Sequence, residues 1–146
     1  MTTDLSHVHD RLVPRGSLGR FGLAGGFNSA VFYIAWTVSM FLFPRVDVRI
    51  LWGTFWGLTG IMAHFVHRWY TFDNHKSLRW TLPTAIPVYL ASMYGSSVTI
   101  GWLEGEFPEQ IVWLGIPNLL FWGIIIWLTM RTVSYTHLRA HETRRY

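Results

Sequence analysis

The sequence contains no cysteine and few charged residues. Among its 146 residues there is no Cys, and only 14% are Asp, Glu, Lys or Arg. The absence of cysteine excludes disulfide scaffolds, thiolate metal sites and cysteine nucleophiles. The shortage of charge is atypical of a soluble domain, in which charged residues make up about a quarter of the chain. The fold must therefore be inferred from the apolar residues.

Apolar residues make up 51% of the chain, aromatic residues make up 17%, and the mean hydropathy is +0.26. Four apolar runs cover residues 21–43, 51–69, 80–102 and 111–130. Each run has about 20 residues, which is the length that an α-helix needs to cross a bilayer. The separators are short and permit only antiparallel neighbours. We predict an all-α membrane protein with four transmembrane helices in two antiparallel hairpins.

The basic residues predict the orientation of these helices. The net charge is +4, but Lys and Arg lie in short segments between the apolar runs, a pattern that does not favour nucleic-acid binding. Cytoplasmic loops of membrane proteins carry an excess of Lys and Arg. We therefore expect both termini in the cytoplasm and a multi-pass protein of the cell membrane. Seven basic residues lie on the expected inner side and two, Arg45 and Arg49, on the outer side; the seven are Arg11, Arg15, Arg20, Arg68, Lys76, Arg79 and Arg131.

Several polar residues lie within or beside the apolar runs. A charge at the centre of a membrane helix costs about 2.5 to 3.5 kcal/mol, so such residues are candidates for function. Asn28 lies about two turns inside from Arg20. His64 and Arg68 are four residues apart and share a helix face, with His64 about 6 Å deeper. His67 lies beside them.

These residues predict a basic, hydrogen-bonding pocket at the cytoplasmic side. Guanidinium groups offer paired donors that suit the oxygens of a phosphate, so we expect an anionic headgroup as the ligand. In the alternative, the charges only set the topology and touch lipid phosphates nonspecifically. The candidate substrate-binding residues are Arg20, Asn28, His64, His67, Arg68, Trp69 and Asn118, and Lys76 and Arg79 extend the basic rim.

The histidines allow two further interpretations. Neutral His64 and His67 would hydrogen-bond to a neighbouring helix near the interface. In the second interpretation, His64 and His67 would bind one metal ion together. Two His ligands without a carboxylate or thiol partner are a weak indication of a metal site. We expect neither a bound metal nor a cofactor.

The sequence has no pattern that is typical of an enzyme. No apolar run contains Asp or Glu, and there is neither a nucleophile motif nor a phosphate-binding glycine loop. The missing carboxylate also argues against a small proton-coupled drug exporter, which depends on an acidic residue in its first span. The glycine pairs Gly22/Gly26 and Gly53/Gly57 predict close helix packing, and they make a homo-oligomer plausible.

Two motifs resemble the GtrA family of four-span membrane proteins. The first is Arg20-Phe21 followed by Gly25-Gly26 and Asn28, and the second is RWYTF at residues 68–72. The resemblance covers residues 20–132. Where the family typically has asparagine, this chain has histidine at positions 64 and 67.

The resemblance implies translocation of a polyprenyl-phosphate-linked sugar across the membrane for cell-surface polysaccharide synthesis. It also implies that the lipid phosphate meets Arg20, Asn28 and Arg68. The alternative function is that of a non-transporting accessory or anchor of a membrane glycosyltransferase. Under both hypotheses the partners are the membrane, the sugar lipid and a glycosyltransferase.

The chain is expected to have three parts. Residues 1–19 form a cytoplasmic tail, and residues 20–132 form the membrane domain. Residues 133–143 read VSYTHLRAHET, which resembles a translated sequencing adapter. We therefore expect residues 133–146 to be a non-native tail.

Overall fold

A computed structural model describes residues 2–14, 17–71 and 78–143, and this part of the chain is helical without any β-strand. A π-helical turn, His67–Thr71, continues α3, and a 3-10 turn, Pro108–Gln110, precedes α5. The prediction of an all-α protein is confirmed for the described residues. The α-helices are α1 (Thr2–Leu12), α2 (Leu18–Leu42), α3 (Val48–Val66), α4 (Leu78–Glu106) and α5 (Ile111–Thr143).

Capping residues define where α2 and α3 begin. Ser17 Oγ accepts a hydrogen bond from the backbone N–H of Arg20 at 3.2 Å. Asp47 Oδ1 accepts one from the backbone N–H of Arg49 at 2.8 Å. Both caps satisfy N–H groups that the first turn of a helix leaves unpaired. The short segment 43–47 therefore ends α2 and reverses the chain into α3.

The helices α3 and α4 pack in antiparallel directions. Trp52 Nε1 donates to Ser96 Oγ at 2.9 Å. One turn further along α3, Trp56 Nε1 donates to Ser92 Oγ at 3.1 Å, one turn earlier in α4. Because the partners move in opposite directions along the two helices, the second hairpin folds back against the first.

Contacts of α2 with α3 show the same antiparallel arrangement. Near the start of α2, the rings of Phe21 and His67 stack with their centroids 4.6 Å apart. Further along α2, the ring of Trp36 meets Trp52 edge-on at 4.8 Å. This register sets Arg20 level with position 68 of the π turn.

The last helix closes the bundle. The Tyr33 hydroxyl of α2 donates to the carbonyl oxygen of Val112 at 2.8 Å. On its other side, α5 contacts α4, where Asn118 Nδ2 donates to the carbonyl oxygen of Ser96 at 3.1 Å. The helices α2 to α5 thus form a bundle of two antiparallel hairpins.

The interior of the bundle differs between its two ends. We call the end where α2 begins and α3 finishes the Arg20 end, and the opposite end the Asp47 end. Towards the Asp47 end, the described interior is an aromatic core of Phe32, Trp36, Trp52 and Trp56 with Ile100. Towards the Arg20 end, the described buried residues are small or polar: Arg20, Ala24, Asn28 and Ala85.

The glycine pairs have different surroundings. Gly53 and Gly57 lie against side chains of α4, Ser97 and Met93, so this pair packs closely within the chain, as predicted. A Cβ added at Gly22 or Gly26 would meet nothing within 4 Å among the described residues. An oligomer that uses Gly53 and Gly57 would therefore compete with α4.

Two helices of the described chain are long and apolar enough to cross a membrane, at Gly19–Leu42 and Pro108–Met130. Their outward faces carry large exposed apolar side chains, among them Phe27, Phe41 and Phe121. Two of the four predicted spans therefore meet the length and apolarity of a membrane helix in the described chain.

The structure shows helices at both ends of the described chain. Within the predicted tail 1–19, residues Thr2–Leu12 form α1, a helix that the sequence analysis does not assign. At the other end, α5 continues past position 132 to Thr143. The predicted boundary at 132 therefore falls inside a helix.

Candidate functional site

The candidate site lies at the Arg20 end, where α2 begins and α3 passes into the π turn. A π turn holds more residues per turn than an α-helix and is often found at functional sites. Here it covers His67–Thr71 and contains three of the predicted site residues, His67, Arg68 and Trp69. The chain thus changes its helical geometry at the segment for which the sequence predicts function.

Arg20 is buried and fully engaged. Its Nη1 donates to the carbonyl oxygen of Tyr70 at 3.0 Å, and its Nε donates to that of Val13 at 3.1 Å. Its Nη2 donates to Asp10 Oδ1 at 2.6 Å. The guanidinium carbon also lies 4.7 Å from the centre of the Tyr70 ring, within cation–π range. All three nitrogens of Arg20 therefore have protein partners.

The contact with Tyr70 has a local physical cause. The last carbonyl groups of a helix have no intrahelical donor and carry partial negative charge. The π turn ends at Thr71, so the carbonyl of Tyr70 is one of these groups. Arg20 supplies both the donor and the positive charge, which explains why a guanidinium is only 2% exposed at this position.

His9 and Asp10 bring α1 onto the same cluster. His9 Nδ1 lies 3.1 Å from Arg20 Nη2, and His9 Nε2 lies 2.8 Å from the Tyr70 hydroxyl. Because Nη2 can only donate, Nδ1 accepts and the proton of the neutral ring is assigned to Nε2. The hydrogen bond from the Arg20 guanidinium is the largest of the effects that hold the pKa of the Asp10 carboxyl below its usual value near 3.8. Asp10 is thus a carboxylate at neutral pH.

Arg68 is half-buried, and its Nη1 has no hydrogen-bond partner among the described residues. One turn deeper on the same face, His64 Nε2 is buried and likewise unpaired within that part of the chain. Asn28 is 7% exposed, and neither its Oδ1 nor its Nδ2 finds a described partner. A buried polar group without a partner costs about 1 to 3 kcal/mol, so a polar ligand here would be stabilised.

The register of α2 and α3 relates these residues to one another. The register places Arg20 level with Arg68. It places Asn28 level with Gly60, which lies one helical turn deeper in the bundle than His64. Arg20 and Asn28 both lie on the buried stripe of α2. The structure therefore brings four predicted site residues to one end of the bundle.

The other predicted site residues have different positions. The ring of His67 stacks on Phe21 and so packs against α2. Trp69 is 68% exposed, with its ring tilted against Phe65 at 5.4 Å. Asn118 lies apart from the rest, because its amide is bonded to α4 beside the aromatic core. Lys76 and the side chain of Arg79 lie outside the described residues.

Three residues of the cluster are given no role by the sequence analysis: His9, Asp10 and Tyr70. Tyr70 belongs to the RWYTF motif, and its position after Arg68 at the end of an apolar run was an available signal. His9 and Asp10 lie in a polar segment whose composition indicates a solvated tail. Nothing in the spacing of that segment predicts that it contacts Arg20.

Comparison of the chain with protein-family models, with curated proteins and with solved structures gives no match. The resemblance to the GtrA family therefore rests on the motifs at residues 20–28 and 68–72.

Proposed function

We propose that this protein is a GtrA-like translocase that moves a polyprenyl-phosphate-linked sugar from the inner to the outer leaflet of the cell membrane. The observation that carries the proposal is the set of buried, unpartnered polar atoms on Arg68, His64 and Asn28 at the Arg20 end. They are donors and acceptors without a described protein partner, at the end of the bundle where the basic motifs meet.

In this proposal α2 to α5 are four transmembrane helices with both termini in the cytoplasm. Large apolar side chains are exposed on each of these helices, for example Ile34, Leu58, Leu90 and Ile124. A surface of this kind is stable against lipid tails and unfavourable in water. The excess of Lys and Arg at the Arg20 end supports a cytoplasmic position for that end.

The phosphate group would first meet Arg68. Its Nη1 is available, whereas the nitrogens of Arg20 are already bonded to protein atoms. A guanidinium binds phosphate oxygens through charge-assisted hydrogen bonds. Arg20, which is level with Arg68, provides the second positive charge for the same anion.

The sugar would enter the polar half of the interior. Its hydroxyl groups are both donors and acceptors, as are the amide of Asn28 and the neutral imidazole of His64. The aromatic core at the Asp47 end then closes the far half of the path. In this proposal the structure is closed towards the Asp47 end, and passage outward requires the rings of Trp36 and Trp52 to separate.

The alternative function is that of a non-transporting accessory of a membrane glycosyltransferase. It is favoured by the engagement of Arg20 in structural contacts and by the closed aromatic core. An accessory would need the bundle only as a rigid platform. Leaflet transfer by the purified protein separates the two functions, because an accessory alone leaves the lipid where it was added.

Substitution of Arg68 tests the proposal in the producing cell. Arg68→Ala is expected to abolish the surface sugar modification with unchanged membrane levels of the protein, and Arg68→Lys to retain part of it because the charge remains. Arg45→Ala is the matched control, since Arg45 is exposed near the Asp47 end. Normal surface modification in Arg68→Ala cells would refute the role assigned to Arg68.

A further inference from the structure

The two side chains of the Asp10–Arg20 ion pair differ strongly in burial. The Arg20 side chain is 3% exposed and donates to the backbone carbonyl of Tyr70 in the π turn, whereas the Asp10 side chain is 62% exposed. Arg20 therefore belongs to the bundle, whereas Asp10 reaches it from α1. Of the two groups, Asp10 is the one that can leave without disturbing the helices.

The attachment of α1 to the bundle is polar. In the described part of the chain, α1 packs no helix face against α2 to α5, and its residues His9 and Asp10 bond to Tyr70 and Arg20 of the bundle. Its apolar side chains Leu5 and Leu12 are 74% and 76% exposed. At 100° per residue they share a face nearly opposite to Asp10. Polar contacts at a surface are weak compared with buried apolar packing.

The Asp10 carboxylate also has the chemistry of the proposed ligand. Its oxygen lies 2.6 Å from Arg20 Nη2, the distance of a charge-assisted hydrogen bond. A phosphate oxygen makes the same kind of contact with a guanidinium. The Asp10 carboxylate and a lipid phosphate would therefore compete for the same position on Arg20.

We infer that α1 is a displaceable lid, in which Asp10 holds the anion position on Arg20 until a lipid phosphate replaces it. This inference rests on the proposed function and adds an intramolecular competitor to it. Ligand binding must then break the contacts of Asp10 and His9, so the lid lowers the affinity of the resting protein. The same lid prevents other anions from occupying the buried guanidinium.

Binding of polyprenyl phosphate to the full chain in nanodiscs tests the lid. Asp10→Asn removes the competing charge and is expected to tighten binding about fivefold, and Asp10→Glu should keep the wild-type affinity. Asp47→Asn is the matched control, because Asp47 pairs with Arg49 at the same 2.6 Å but at the opposite end. It should leave the affinity unchanged.

Movement of α1 gives a second readout that does not depend on affinity. Because the chain has no cysteine, spin labels can be placed at Leu5→Cys and Leu23→Cys, both on exposed positions. The distance distribution should be narrow in the wild type and broaden on addition of polyprenyl phosphate. In Asp10→Asn it should be broad without any lipid. Inorganic phosphate, added alone, should leave the wild-type distribution narrow.

The outcomes separate the lid from the proposed function. If the wild type binds polyprenyl phosphate and Asp10→Asn binds it equally well, the lid is wrong and the phosphate site stands. If neither protein binds the lipid, both inferences fail, whatever the labels show. If inorganic phosphate releases α1 as well as the lipid does, a free anion and not a lipid is the competing ligand, and the inference is overturned.

Discussion

Arg20 Nη1 donates to the carbonyl oxygen of Tyr70 at 3.0 Å, and this bond joins the start of α2 to the end of the π turn. The two residues are fifty positions apart in the sequence. The bond gives Arg20 a structural role as the cap of a helix terminus, beside the role in ligand binding that we propose for it. Substitutions must therefore distinguish stability from function.

Arg20→Ala is expected to lower the free energy of unfolding by about 2 kcal/mol, because the partly buried carbonyls of Tyr70 and Val13 lose their donor. Thermal unfolding in detergent measures the change. Arg11→Ala, at an exposed position of α1, should remain within about 0.5 kcal/mol of the wild type. Equal stability of the two variants would show that the contacts of Arg20 are not maintained in solution.

Ser96→Ala should destabilise the bundle by about 1 kcal/mol, since the buried Trp52 indole loses its acceptor. The neighbouring Ser97 is a matched control, because its buried hydroxyl has no partner among the described residues. Ser97→Ala is expected to be neutral or stabilising. The two variants are compared by chemical denaturation, and a larger loss for Ser97→Ala would contradict the hydrogen-bond assignment.

Gly115→Ala should cost about 1 to 3 kcal/mol because a Cβ at this position would overlap the ring of Trp36. At Gly26 a Cβ meets no described atom, so Gly26→Ala is expected to be neutral or to stabilise α2 by up to about 1 kcal/mol. Melting temperatures of both variants check this. The account of helix packing fails if Gly115 tolerates alanine as well as Gly26 does.

The Asp47 end should show an acid-dependent stability. Hydrogen bonds from the Arg49 side chain and then its backbone N–H lower the pKa of Asp47 from 3.8 to about 2. The folded state favours the charged form of Asp47. The contribution of this carboxylate to the free energy of unfolding is therefore complete above pH 3.8 and disappears as the pH falls through 2.

Asp47→Asn is the test of this pH dependence. Asparagine also caps helices, so the variant removes the charge and keeps the cap. The stability difference between wild type and variant should be constant above pH 4 and shrink below it. A difference that does not change between pH 4 and pH 2 would rule out the ionised Asp47 as its source.

The helices and the polar stripe could be predicted from the sequence for physical reasons. Apolar runs separated by short loops leave little choice other than antiparallel helices. The spacing of His64 and Arg68 places them on one face, and the structure keeps both partly buried. Asn118 lies away from the other candidates because it is level with Ser96 and the aromatic core, and its place early in the fourth apolar run already indicates this depth.

The docking of α1 and the π turn could not be predicted in the same way. The contacts of Asp10 with Arg20 and of His9 with Tyr70 depend on the direction of the backbone between α1 and α2. No periodic pattern in the sequence predicts that direction. The π turn adds a local irregularity to a sequence that reads as a regular helix. Both features are set by tertiary contacts at the Arg20 end.

The most direct test of the central claim is leaflet transfer by the purified protein. Liposomes containing the protein receive a fluorescent polyprenyl-phosphate sugar in one leaflet, and a membrane-impermeant quencher reports how much has crossed. We expect the wild type to transfer the lipid and folded Arg68→Ala to leave it in place. If the wild type leaves all of the label in its original leaflet, translocation is contradicted.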